Sequence, residues 1–231
     1  MKCKKIIVLA LAMAAANTVA YAGDEYSVTQ LPELDSQSVA VVSPPAPQKV
    51  AAPIKNFGVA VWKNSERGPR EGLVFRGGTP MGEAAFKFLA ELGIKTTINL
   101  RMTHTDDQQL CAANGIECLE YGVIPIPVIN IVWHVDFRRA FARAAAELDA
   151  GHKIFISCQG GRHRTSALVA ALTIRNAACG KAFDKEELRK HLEQSLEVFG
   201  FHNFNGKLLG SWEHEILEWV DDFEENQWLC E

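Results

Sequence analysis

The chain has 231 residues, 48% of them hydrophobic, and a formal net charge of −4. That length and composition allow one domain with a sizeable core and a short extra segment. The acidic balance argues against general nucleic-acid binding, which needs a basic stripe to displace counterions. It does not exclude a phosphate site, because a small positive pocket focuses field locally.

The chain opens with Lys2, Lys4 and Lys5, then an apolar run from Ile6 to Ala16 and the small-x-small sequence Ala20-Tyr21-Ala22. This is the pattern of a secretory signal peptide over residues 1–22, and the run is short for a membrane span. Cleavage before Gly23 would remove three lysines and no acid, taking the net charge from −4 to −7. The expected location is periplasmic or secreted. No second long apolar run follows, so no membrane span is expected after signal removal. Residues 23–53 are rich in Val, Ser, Ala and Pro and read as a mostly extended, poorly ordered leader. The domain is expected over residues 54–231.

Five cysteines remain beyond the signal: Cys111, Cys118, Cys158, Cys179 and Cys230. In an oxidising compartment pairs form, and an odd count leaves at least one without an intrachain partner. Cys111 with Cys118 is the preferred pair, since seven residues separate them across an expected turn; Cys179 with Cys230 has less behind it. The alternative is five ordinary thiols.

Strands and helices then alternate. Leu73–Arg76 reads as a strand, and Thr79-Pro80 as a helix cap followed by proline at the first helical position. Ala85, Phe86, Phe88, Leu89 and Leu92 form an apolar helical face stopped by Gly93. Strands are expected at 96–100, 116–124 and 153–157. Helices are expected at 105–114, 135–149 and 165–178, with two more after Asp184 and Ser211. This alternation predicts an α/β fold, a mainly parallel central sheet flanked by helices.

The chemistry sits in Ser157-Cys158-Gln159-Gly160-Gly161-Arg162-His163-Arg164-Thr165, between a buried-type strand and a helix. Ligands of open parallel sheets bind at the carboxyl ends of strands. A helix N-terminus there offers free N–H groups and the positive end of its dipole. The glycines let the loop curl so that its amides form an anion nest. A thiol in that setting is acidic, so Cys158 is the expected nucleophile. Arg164 can hold two phosphate oxygens with its planar fork. Thr165 can hydrogen-bond the sulfur as it leaves. Gln159, Gly160, Gly161, Arg162 and His163, with Arg164, are the expected substrate-binding residues. Arg162 and His163 are otherwise simply solvated loop residues.

The segment resembles the protein tyrosine and dual-specificity phosphatase superfamily, whose signature is Cys, five residues, Arg, then Ser or Thr, with Gly third after Cys. Cys158, Gly161, Arg164 and Thr165 match. Phe75-Arg76-Gly77-Gly78-Thr79-Pro80 and Gly93-Ile94-Lys95-Thr96-Thr97-Ile98-Asn99-Leu100-Arg101 resemble segments of the smaller bacterial members. The resemblance covers roughly Asn56 to Gly206. It implies that superfamily's fold and phosphomonoester hydrolysis through a phosphocysteine, with no metal and no cofactor. The implied partner is a phosphorylated protein, carrying phosphotyrosine or dual-specificity sites, or a small phosphomonoester. Inositol polyphosphate hydrolysis and weak, phosphate-binding behaviour are the alternatives. Sulfur or arsenate chemistry at the thiolate fits the loop less well.

Two departures stand out. Ser157 replaces the usual His before the nucleophile, which would raise the thiol pKa. The loop that usually carries the general acid has none from Ile124 to Val135; Asn130 occupies the usual position. Candidates for the acid are Asp136, His134, Asp106 and Asp107, or none. Asp136 reads equally as a helix-terminal carboxylate. Arg76 and Arg101 are expected at strand ends facing the site, either binding substrate or holding a loop through a carboxylate.

Overall fold

A computed structural model describes residues 47–63, 71–103, 106–126, 129–201 and 210–231. The signal sequence, the leader up to residue 46 and the expected helix start at Thr105 lie outside these residues.

Six strands form one sheet: β1 (Gln48–Lys49), β2 (Gly58–Lys63), β3 (Glu71–Gly78), β4 (Thr96–Asn99), β5 (Glu117–Glu120) and β6 (Ile154–Cys158), in the order β1-β2-β3-β6-β4-β5. The four strands β3, β6, β4 and β5 run parallel. β1 and β2 add an antiparallel edge. The sheet therefore takes in Gln48–Lys49, upstream of the Ile54 boundary drawn from composition.

Side chains alternate across each strand, so the sheet has two distinct faces. Phe75 and Phe155 point to one, where Phe57, Phe86, Leu89 and Ile94 complete a core under helices α1 (Gly82–Glu91) and α2 (Gln108–Ala113). Val74, Ile98, Ile154, Ile156 and Cys158 point to the other. That face is covered by α3 (Val135–Asp149) and α4 (His163–Ala178), with α5 (Lys185–Val198) and α6 (Gly210–Asp221) packed outside α4.

Sequence pattern explains each helix's place. In α3 the buried positions Phe137, Ala140, Phe141, Ala144, Ala145 and Leu148 follow helical spacing and make one stripe. α4 is buried nearly all round, from Arg164 to Leu172, because it lies between the sheet and the outer helices. Each large side chain so buried contributes about 1.5–3 kcal/mol. α5 starts where expected, with the Asp184 carboxylate accepting from Glu187 N–H. α1 does not start where expected. Its N-cap is Met81, and Thr79 Oγ1 instead donates to the Cys158 carbonyl at 3.3 Å. The strand–helix turn, not the helix, uses the threonine.

Both preferred disulfides are present. Cys111–Cys118 joins α2 to β5, and Cys179–Cys230 ties the end of α4 to the chain's last turn. In the chain-entropy account such links stabilise by roughly 2–4 kcal/mol each. Among the described residues Cys158 is the free cysteine, and it is buried.

Candidate active site

Cys158 ends β6 at the carboxyl edge of the parallel strands, and residues 159–162 curl from it into α4. The curl depends on one glycine. Gly161 has φ +64°, and a Cβ there would lie 2.3 Å from the carbonyl carbon of Gly77. Gly160 has no left-handed φ, and a Cβ on it would meet only Arg162 Cγ at 3.9 Å.

Two of the loop's carbonyls are tied by side chains from outside it. Gly161 O accepts from Asn56 Nδ2 and from Arg76 Nη2, both at 2.9 Å. Asn56 Nδ2 also reaches Gly160 O at 3.4 Å and Phe199 O at 3.1 Å. With the carbonyls tied on the outside, the amides are left to face the ligand space, as an anion nest requires. Arg76 is wholly buried, donates to Ser166 Oγ at 2.7 Å and lies 3.7 Å over the Phe199 ring. Burial pulls its pKa down to about 9, against the opposing pull of Cys158. Arg76 thus holds the loop, but through a carbonyl, a hydroxyl and a ring rather than a carboxylate.

Burial alone would push the Cys158 thiol up. The Thr165 hydroxyl, the Arg164 guanidinium and the N–H groups of Thr165 and Arg162 outweigh it, so the thiol lies below its ordinary range. The Thr165 hydroxyl is buried close enough to the sulfur to favour the thiolate. Ser157 plays no part in this. It alternates to the opposite face of the sheet, level with Asn99, and its buried hydroxyl is unpartnered among the described residues.

Arg164 is buried, and its Nη1 donates to Leu100 O at 2.8 Å and Val123 O at 2.9 Å. Those carbonyls lie just past β4 and β5, so two neighbouring strand ends aim the guanidinium. Burial and nearby Arg101 lower its pKa, while Cys158 raises it. The Arg101 backbone N–H donates to Asn99 Oδ1 at 3.0 Å, and its Nη1 reaches Thr79 Oγ1 at 3.5 Å. Neither Arg101 nor Arg162 forms an ion pair with a carboxylate among the described residues. His163, by contrast, is engaged: its Nε2 is 3.0 Å from Phe201 O and its ring packs edge-on against Phe201. Gln159 is exposed at the loop's start.

The acid candidates separate cleanly. Asp106 is buried and accepts from Thr97 Oγ1 at 3.1 Å and Asn99 Nδ2 at 3.0 Å, on the α1–α2 face of the sheet. Asp107 caps α2 through Gln109 and Leu110 N–H. Both carboxylates are occupied by structure on the side away from the sulfur. Asp136 stands in the first turn of α3, 3.5 Å from Arg139 Nη1. A Cβ placed on Gly122 would be 4.0 Å from its Oδ2, so it overlies the loop that supplies Val123 O to Arg164. His134 caps the same helix, with a buried Nε2 that is unpartnered among the described residues. Asn130 is exposed.

Sequence inspection missed the residues that fix this loop. Glu215 is buried in α6 and accepts from Ile131 N–H at 2.7 Å and Val132 N–H at 3.1 Å. Trp212 Nε1 donates to Ile129 O at 2.8 Å. A lone Glu in an apolar helical face was the available signal. Asn56, at φ +56°, was legible only as a turn residue. Among the described residues no cluster of three or more His, Cys, Asp or Glu is arranged to hold a metal ion, and no helix is long and apolar enough to cross a membrane.

A buried free cysteine beneath a helix N-terminus, faced by a strand-anchored arginine, is the arrangement of the cysteine-dependent phosphatase class. Residues 47–202 match the family model described as DSP-PTPase phosphatase fused to NAD+ kinase, about two thirds of the chain. The chain belongs to this dual-specificity and tyrosine phosphatase family, and is a phosphatase acting on phosphorylated substrates. Solved structures of phosphatases are similar to the chain. A mouse dual specificity phosphatase complexed with zinc tungstate is 15% identical, with TM-score 0.50 over 78% of this chain and 95% of that one. The Siw14 catalytic core is 18% identical, with TM-score 0.49 over 79% and 98%. Siw14 is a protein of S. cerevisiae. Human DUSP28 is 17% identical, with TM-score 0.48 over 77% and 99%.

Proposed function

We propose that the chain hydrolyses phosphomonoesters in two displacements at Cys158. The observation that carries this is the placement of a buried free thiol at the end of β6, between the N-terminus of α4 and the strand-anchored Arg164, a setting that lowers its pKa. The thiolate attacks phosphorus, the phosphorus–ester oxygen bond breaks, and the leaving oxygen takes a proton. Water then attacks phosphorus, the phosphorus–sulfur bond breaks, and the thiolate is restored with release of phosphate. Arg164 and the loop amides stabilise charge on the equatorial oxygens in both transition states. The Thr165 hydroxyl supports the sulfur as leaving group. Asp136 is the proton donor in the first step, since it alone of the three candidate carboxylates overlies the Arg164-binding loop.

Phosphotyrosine and other phosphorylated protein side chains are the primary substrates in this reading. Inositol polyphosphate is the second, favoured by Arg101 and Arg162, two cations beside the cradle without carboxylate partners among the described residues. The two disulfides support an exported, oxidising setting, in agreement with the signal-like start of the chain. The test compares phosphate release from an aryl phosphate, an alkyl phosphate and an inositol hexakisphosphate. Aryl turnover above alkyl supports the protein reading; fastest turnover of the inositol ester supports the second; no turnover of any refutes both.

A further inference from the structure

Large apolar side chains are exposed at seven described positions: Met81, Met102, Ile124, Ile126, Ile129, Trp133 and Val135. Their placement is not scattered. Met81 follows β3, Met102 follows β4, the three isoleucines follow β5, and Trp133 and Val135 open α3. All seven therefore sit at the carboxyl end of the parallel strands, the end that carries Cys158. Trp133 is 73% exposed and Val135 62%.

The surface is also built to stay in place. Ile126 N–H bonds Ile124 O at 3.0 Å and Ile129 N–H bonds Ile126 O at 3.2 Å, with the three isoleucine side chains exposed. Glu215 and Trp212 pin the same loop to α6. Its inner end supplies Val123 O to Arg164. Residues 122–133 contain no charged side chain. Arg101 and Arg162, each without a carboxylate partner among the described residues, border this rim at the cradle.

We propose that this rim docks the protein on an anionic lipid bilayer, with the cradle facing the headgroups. Apolar side chains gathered at one end of the sheet, with a tryptophan 73% exposed among them, mark an interaction surface. Its chemistry is that of a bilayer interface: separate apolar side chains to enter the acyl boundary, an indole for the headgroup level, and cations for lipid phosphates. Apolar groups projecting from several loops around a cation-lined site do not make the single groove that a peptide segment needs. The inference goes beyond the reaction assigned above, and its test needs no turnover.

Purified full-length protein is mixed with phosphatidylcholine vesicles, with and without phosphatidylglycerol, and bound protein is measured by co-sedimentation. The same is done with Trp133→Ser and with Ile126→Ser. Binding is expected to require the anionic lipid, to weaken with salt, and to fall about tenfold in each variant, with the wild-type tryptophan emission shifting blue on binding. A normal circular dichroism spectrum and melting temperature show that the variants are folded. Failure of wild type to bind, or equal binding by the variants, overturns the proposal. So does a concentration-dependent dimer that Trp133→Ser dissolves, because a second copy would then own the surface. Loss of phosphatase activity in all forms with vesicle binding intact would strike the catalytic reading alone.

Discussion

Gly160 and Gly161 are adjacent in the loop, yet the structure predicts opposite outcomes for their replacement by alanine. At Gly161 two costs add. The left-handed φ of +64° costs an alanine about 1–2 kcal/mol. The new Cβ would sit 2.3 Å from the Gly77 carbonyl carbon and 2.5 Å from Gly78 N, backbone that is fixed in β3. Overpacking of this kind adds about 1–3 kcal/mol. The sum is about 2–5 kcal/mol, which for a domain of this size lowers Tm by roughly 4–20 °C. Relief of the overlap moves the loop away from β3, so the amides no longer converge on phosphorus, and kcat/KM should fall about 10²-fold. At Gly160 the nearest atom to a new Cβ is a flexible Arg162 carbon at 3.9 Å. Gly160→Ala should change stability by no more than about 0.5 kcal/mol. Thermal unfolding and aryl phosphate turnover of both variants decide the matter. Equal tolerance of both substitutions, or greater damage from Gly160→Ala, would refute the loop geometry.

Other consequences can be checked alongside. Alkylation of native Cys158 should rise through a pKa below the ordinary thiol value of about 8.5, whereas the unfolded chain titrates near it. Because the folded pKa is the lower one, the ionised thiol contributes stability that is fully present above about 8.5 and lost as pH falls through the folded value; a native profile at or above 8.5 contradicts this. Arg76→Met should leave melting nearly unchanged, since it removes two buried unpartnered N–H groups along with two hydrogen bonds. It should still lower kcat/KM about 10–100-fold and raise the alkylation pKa, as expected of a positioning residue; an unaltered alkylation profile would deny it that role. Asp136→Asn should slow alkyl phosphate hydrolysis about 10²–10⁴-fold and aryl hydrolysis far less. Equal rates for the variant and wild type on both esters would reduce Asp136 to a helix-terminal charge.

The parts of this molecule legible in the sequence were those set by local rules. Helical spacing placed α3 at residues 135–149, and the Asp184 cap placed α5. The motif around Cys158 and Arg164, with its strand and helix context, located the cradle and the family. The cysteine spacing pointed to Cys111–Cys118, while Cys179–Cys230 had no local signal behind it. What escaped was set by contacts distant in sequence. β1 and β2 are an edge pair without a clean alternation, so β1 fell within the expected leader and β2 carried no strand signal. Thr79 followed cap chemistry in the sequence, but its hydroxyl donates a hydrogen bond to the Cys158 carbonyl, 79 positions away. Asp106 looked as available as Asp136 until Thr97 and Asn99 were seen to occupy it. The contact of His163 with Phe201 O, 38 positions on, had no signal in the sequence. The family signature singled out Gly161 from Gly160, but the left-handed φ and the close approach to Gly77 behind that preference are not written in residue type.

The most direct test of the central claim is to quench the wild-type protein during turnover of an aryl phosphate and weigh its peptides. The account predicts added phosphate on the peptide that contains Cys158, absent from the Cys158→Ser variant, which should also show no turnover. Turnover without that adduct and undiminished in Cys158→Ser would contradict it.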